Sequence, residues 1–83
     1  MVLLEKISLR GEMPWKKIQE VFNLTRREID ILRLLFQGKS DKEMAEELFV
    51  SVYTIKDHLG NIRKKMQVFT RTRIITKVLE ASQ

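Results

Sequence analysis

The residues best suited to binding chemistry lie in one stretch, "SVYTIKDHLGNIRKK", which runs from Ser51 to Lys65. Four of its fifteen residues are Lys or Arg, and only Asp57 is acidic. Lys and Arg donate strong hydrogen bonds to anionic groups such as phosphates. The stretch therefore suits an anionic partner, which is either a nucleic acid or a membrane surface.

The net charge of the chain is concentrated in the same region. Residues 1–50 hold nine Lys or Arg and nine Asp or Glu, whereas residues 51–83 hold seven basic and two acidic residues. The net charge of +5 thus comes entirely from residues 51–83. This asymmetry favours an anionic partner for that part, although a solvated basic face explains the charge alone equally well.

Length and composition bound the remaining possibilities. The 83 residues make one small domain. The absence of cysteine excludes disulfides and thiolate chemistry, and it fits a reducing cytoplasm. No apolar run approaches the roughly 20 residues that span a bilayer. The opening "MVLLEKISLRGEM" is interrupted by charges and does not resemble a signal peptide.

Nothing in the sequence predicts an enzyme. His58 is the single histidine, and without cysteine or a second histidine beside it no metal site is expected. We expect His58 at the edge of the core, with one ring nitrogen hydrogen-bonded. With three glycines there is no Gly-rich phosphate loop, so we predict no catalytic residue and no cofactor.

Helix signals begin at Leu24 and predict four helices. Four polar residues are each placed to cap the start of a helix: Thr25, Ser40, Ser51 and Thr70. Glu28 and Glu43 lie three residues after the first two caps and complete capping boxes. Gly38 is expected to end the first helix. Only "FVS" separates the second helix from the third, which predicts a helix-turn-helix.

The third predicted helix is amphipathic. Its core stripe recurs at helical spacing and consists of Ile55, Leu59, Ile62 and Met66. The opposite face and its flanks are mixed and basic, and hold Tyr53, Thr54, Lys56, Asp57, Gly60, Asn61, Arg63, Lys64 and Lys65. A membrane-surface helix would need spare apolar residues for lipid, and a merely solvated helix would show Glu–Lys pairs. Neither feature is present.

The fourth predicted helix carries two apolar pairs on neighbouring faces. One pair is Ile75 and Leu79, and the other is Ile74 and Val78. We expect one pair to pack on the domain and assign the other, Ile74 and Val78, to a dimer interface. The alternative is that all four residues belong to the core.

Motifs spread over all four helices carry a resemblance to a known family. They are "LTxRE" from Leu24, "SxKExA" from Ser40, "TIKxHxxNIxKKM" from Thr54 and "RT" from Arg71. Together, from Leu24 to Glu80, the chain resembles the LuxR-type, or GerE-type, DNA-binding domain of bacterial transcription regulators. The resemblance implies an all-α fold of four helices, in which the third helix enters the major groove and the fourth dimerises.

The resemblance also implies roles for single residues. Lys56 matches a lysine that reaches bases or phosphates, Thr54 a threonine near the backbone, and Lys42 a phosphate contact. Asp57 and Gly60 stand where residues vary with the operator, and Arg71 resembles an arginine just before the last helix. The expected DNA contacts are Lys42, Ser51, Tyr53, Thr54, Lys56, Asp57, Gly60, Asn61, Arg63, Lys64 and Arg71. Simpler roles remain open for three of them: a cap at Ser51, an internal hydrogen bond at Asn61 and plain exposure at Lys64.

Three residues depart from the expected pattern. Asp57 repels phosphate, although its carboxylate can accept from cytosine N4. Gly60 lies inside a helix, where glycine costs about 1 kcal/mol relative to alanine. Gln67 stands where the family often has glycine, so the third helix is expected to end differently.

Residues 1–23 are expected to form a linker or helical extension of the domain at 24–83. A helix could start at Pro14, a favoured first-turn residue, with Trp15, Ile18 and Phe22 on one face. This helix either packs on the domain or forms a dimer contact.

The sequence thus predicts a cytoplasmic, nucleoid-associated bacterial regulator. Its expected partners are a double-stranded DNA operator and a second copy of the chain, with RNA polymerase as a candidate further partner and no membrane. Two alternatives remain. One is a promoter-recognition domain like that of a sigma factor, and the other is a protein-interaction module whose basic face is incidental.

Overall fold

The computed structural model describes residues 13–83, and these residues form five helices and no strand. The helices are α1 (Trp15–Phe22), α2 (Arg26–Phe36), α3 (Asp41–Leu48), α4 (Val52–Met66) and α5 (Arg71–Ala81). The expected all-α fold is confirmed. The first twelve residues of the predicted extension at 1–23 lie outside the described residues.

The predicted helix starts are confirmed. Both capping boxes are complete: the side chains of Thr25 and Ser40 accept from the backbone N–H three residues on, and the glutamates there bond back. Ser51 and Thr70 cap α4 and α5 in the same way, without the glutamate. After α2, Gly38 adopts the left-handed conformation, with φ of 83°.

One core joins all five helices. The predicted stripe of α4 is buried, and α4 packs against α2, α3 and α5. Full burial of an aliphatic side chain contributes roughly 1.5–3 kcal/mol to the stability of the fold. The buried stripe therefore determines which side of α4 faces the core. The largest fully buried side chains are Ile18, Ile31, Leu32, Met44, Ile55, Ile62, Met66, Ile74 and Val78.

The helix predicted in the N-terminal extension is present as α1 and is docked on the domain. It begins at Trp15, one residue later than expected, because Pro14 has a non-helical ψ of 71°. Ile18 is fully buried. The Trp15 ring meets the Phe36 ring edge-on, with centroids 5.5 Å apart, and the Arg33 guanidinium lies 5.9 Å from the Trp15 centroid. α1 is therefore part of the core rather than a free linker.

The expectation that α4 ends in an unusual way is wrong. Gln67 takes the left-handed conformation itself, with φ of 60°, and Val68 N–H donates to Arg63 O at 3.0 Å. This is the ending that glycine would make. Asn23 and Phe49 end α1 and α3 in the same conformation.

The assignment of Ile74 and Val78 to a dimer interface is also wrong. Both side chains have no exposed surface, because this face of α5 fills the core of the single chain. The neighbouring pair is the accessible one, with Leu79 46% exposed and Ile75 partly buried.

Across residues 13–83, no helix combines the length and the apolar character that crossing a membrane requires.

Candidate nucleic-acid interface

The chain turns sharply between α3 and α4. Phe49 ends α3 in the left-handed conformation, and Val50 N–H donates to Ala45 O at 3.0 Å. α3 and α4 make the most extensive helix contact in the described residues, and Met44, Ala45 and Ile55 are buried there. Two short helices joined by a tight turn and a shared core constitute a helix-turn-helix.

The predicted contact residues of α4 lie on its outer surface. Tyr53 is 80% exposed, and Lys56, Asp57 and Lys64 are exposed as well. Gly60, Asn61 and Arg63 are partly buried. The Asn61 amide makes no hydrogen bond with any residue of 13–83. The internal hydrogen bond that was the alternative to a DNA contact for Asn61 is therefore absent from these residues.

Ser51 and Thr54 form a local pair at the start of α4. Ser51 Oγ accepts from Thr54 N–H at 3.0 Å, and the two hydroxyl oxygens are also 3.0 Å apart. The capping role of Ser51 is therefore confirmed. Since a hydroxyl has one donor and two acceptor lone pairs, capping leaves hydrogen-bonding capacity at this end of α4.

Two residues predicted to contact DNA, Lys42 and Arg71, lie near the start of α3. Arg71, the first residue of α5, donates through its guanidinium to the carboxylate of Asp41. Asp41 is followed directly by Lys42, which is exposed. The guanidinium carries five N–H donors, so donation to Asp41 leaves others for a phosphate.

Lys64 and Lys65 are neighbours with different surroundings. The Lys65 ammonium donates to Glu28 Oε1 at 2.8 Å, and the Glu28 side chain is only 5% exposed. The same Glu28 oxygen also accepts from Thr25 N–H in the capping box. Lys65 is thereby fixed to the start of α2, whereas Lys64 has no acidic partner within residues 13–83.

His58 is partly buried, as expected at the edge of the core. Its expected hydrogen bond is missing, since neither ring nitrogen bonds another residue of the described chain. The same residues contain no group of three His, Asp or Glu side chains that could hold a metal ion.

An open cavity of about 650 Å³ lies beside the C-terminal half of α4. Its lining residues are Gly60, Arg63, Lys64, Gln67, Val68 and Phe69. The last three were not among the residues predicted to contact DNA, because the segment after α4 carries no motif that indicates such a role. Phe69 is 92% exposed, as is Phe49 in the turn before α4.

The described residues form a small all-α domain with a helix-turn-helix, and α4, the second helix of that motif, has a basic outer face. Residues 22–78 match the family described as "Bacterial regulatory proteins, luxR family". The chain therefore belongs to the luxR family of bacterial regulatory proteins and contains its helix-turn-helix DNA-binding domain.

The chain matches curated proteins of which it covers very different shares. The transcriptional regulatory protein LiaR of Bacillus subtilis (strain 168) is 47% identical over 51 residues, which are 61% of this chain and 24% of LiaR. The spore germination protein GerE of the same organism is 35% identical over 71 residues, which are 86% of this chain and 96% of GerE. The response regulator protein VraR of Staphylococcus aureus (strain COL) is 36% identical over 70 residues, which are 83% of this chain and 32% of VraR. The chain thus spans about a quarter of LiaR, a third of VraR and nearly all of GerE. No solved structure matches the chain.

Proposed function

We propose that this chain binds double-stranded DNA sequence-specifically, with α4 in the major groove, as the DNA-binding part of a bacterial transcription regulator. The observation that carries the proposal is the exposed, basic outer face of α4, held in place by a fully buried stripe on its other side. A rigid helix with this polarity can enter a groove about 12 Å wide without losing core contacts.

The proposal divides the contacts between bases and backbone. Lys56 and Asp57 lie in the N-terminal half of α4, from which side chains reach base edges. Lysine donates to guanine O6 and N7, and a carboxylate accepts from cytosine N4. Lys42 and Arg71 would hold one phosphate where α3 begins. The remaining proposed contacts are Ser51, Tyr53, Thr54, Gly60, Asn61, Arg63 and Lys64.

We propose further that two copies bind a two-fold-related operator. Because Ile74 and Val78 are buried, the proposed self-association uses Ile75 and Leu79 on the exposed side of α5. The same proposal has three further parts. The chain binds and does not catalyse, it acts in the bacterial cytoplasm at the nucleoid, and it contacts RNA polymerase. The division of the chain into an extension at 1–23 and a DNA-binding domain at 24–83 belongs to the proposal as well.

Selection from random duplex DNA at physiological salt tests the proposal. We expect an enriched motif with two-fold symmetry. Lys56→Ala should lose sequence preference, whereas Lys64→Ala, the control for loss of one exposed positive charge on the same helix, should lose affinity evenly over all sequences.

Two results would contradict these expectations. Equal, uniform losses in both variants would restrict Lys56 to the DNA backbone. Wild-type protein that enriches no sequence would contradict the proposal and favour a protein-interaction module.

A further inference from the structure

We propose that the cavity beside the C-terminal half of α4 is a cradle for the sugar-phosphate backbone of the DNA strand that borders the groove. This inference rests on the proposed function. It adds Gln67, Val68 and Phe69 to the interface and gives Gly60 a steric role. The chemistry of the lining, its position along α4 and the lack, within residues 13–83, of any internal use for Gly60 and Phe69 support it.

The lining has the two kinds of surface that complement a nucleotide backbone, one cationic and one apolar. Arg63 and Lys64 supply positive charge, and neither has an acidic partner within residues 13–83. In the same part of the chain, Lys65 and Arg71 each form an ion pair with a carboxylate. Val68 is buried at the cavity and Phe69 is almost fully exposed, so an apolar surface lies next to the two cations. Phosphate oxygens suit the cations, and the apolar face of deoxyribose suits the aromatic ring.

Position along α4 points to backbone rather than bases. A helix rises 1.5 Å per residue, so Gly60 lies about 12 Å beyond Val52. The major groove is also about 12 Å wide. When α4 lies across the groove with its first turns at the base edges, the helix reaches the edge of the groove near Gly60. The cavity, which extends from Gly60 to Phe69, then faces the bordering strand.

Within residues 13–83, nothing requires a glycine at position 60. A Cβ built at this position meets only an Arg63 guanidinium nitrogen, at 3.8 Å, which is an ordinary contact. The backbone there is helical, so no left-handed conformation requires glycine. Alanine would fit and favour the helix. A bare helix surface on the cavity wall is explained if another molecule must approach it closely.

The test uses two variants that leave the core intact, Gly60→Ala and Phe69→Ala, in fluorescence anisotropy titrations of a labelled duplex carrying the selected motif. We expect each variant to bind at least about fivefold more weakly. Sequence preference should stay unchanged, and Gly60→Ala should melt at a higher temperature than wild type. A loss of affinity together with a gain of stability cannot come from poorer folding.

Phe49→Ala is the matched control. Phe49 and Phe69 are both 92% exposed, but Phe49 does not line the cavity, so its loss should leave DNA affinity unchanged. The salt dependence separates the two surfaces. Arg63→Met and Lys64→Met should each reduce the log–log salt slope by about 0.9, and Phe69→Ala should not change it.

The cradle is ruled out if wild-type protein binds its motif and both Gly60→Ala and Phe69→Ala bind as tightly as Phe49→Ala. The proposed function would survive that result. If wild-type protein itself shows neither selection nor salt-dependent binding, the proposed function fails and the cradle fails with it.

Discussion

At the scale of single residues, Gln67 shows how local strain can be measured. A residue with a Cβ in the left-handed conformation is disfavoured by about 1–2 kcal/mol, whereas glycine adopts it freely. We expect Gln67→Gly to raise the free energy of unfolding by about 1 kcal/mol, which corresponds to roughly 4–8 °C in a domain of this size. Thermal unfolding followed by circular dichroism measures the change. Gln67→Ala keeps the Cβ and is the control, and equal melting temperatures for the two variants would contradict the explanation.

A second prediction concerns the Lys65–Glu28 pair. Lys65→Met leaves a nearly buried carboxylate without its cation and with the Thr25 N–H as its remaining donor, and the loss of one partner from a buried hydrogen-bonded group costs about 1–3 kcal/mol. We expect Lys65→Met to unfold at lower urea concentration than wild type. Lys64→Met should change stability by less than about 0.5 kcal/mol, as surface substitutions usually do. Adding Glu28→Gln to Lys65→Met should restore part of the loss, because it removes the charge but keeps the capping oxygen.

Asp57 gives a third prediction. Its carboxylate repels phosphates but can accept from cytosine N4. Asp57→Ala should therefore bind non-specific duplexes more tightly and distinguish the selected motif from them less well. The test measures the affinities of wild type and Asp57→Ala for the motif and for a scrambled duplex under the same conditions. Equal tightening on both duplexes would leave Asp57 without a role in discrimination.

At the scale of elements, α1 is joined to the domain by an aromatic contact and by burial of Ile18. Trp15, the single tryptophan, lies in this contact, so its fluorescence reports the docking of α1. We expect urea unfolding curves from tryptophan fluorescence and from far-ultraviolet circular dichroism to coincide, because one core joins all five helices. An earlier fluorescence transition would mean that α1 detaches before the domain unfolds.

At the scale of the whole molecule, the accessible side of α5 decides self-association. Leu79 is 46% exposed, so Leu79→Arg should fold and yet bury an unpaired charge in the proposed dimer contact. We expect sedimentation to show a monomer and DNA affinity to fall. Val21→Arg is the control, since Val21 is 55% exposed on α1 and lies outside the proposed contact. If Leu79→Arg sediments like wild type, the dimer does not use this face.

The local features of this protein could be predicted from its sequence. Every helix cap that it predicted is present, because a cap joins residues three apart, a spacing that helix geometry fixes. The core stripe of α4 followed from the helical period alone, and so did the membership of the outer face. The family motifs could be recognised for the same reason, since they combine helix caps, apolar stripes and turn residues in a fixed order.

The contacts between side chains of different helices could not be predicted from the sequence. Lys65 pairs with Glu28, 37 residues away, and Arg71 with Asp41, 30 residues away. No periodicity encodes such a pairing, because it depends on how the helices cross. Which apolar pair of α5 is buried depends on the positions of α1 and α4, and here the sequence-based assignment failed. The cavity likewise exists only where the end of α4 meets the segment that leads to α5.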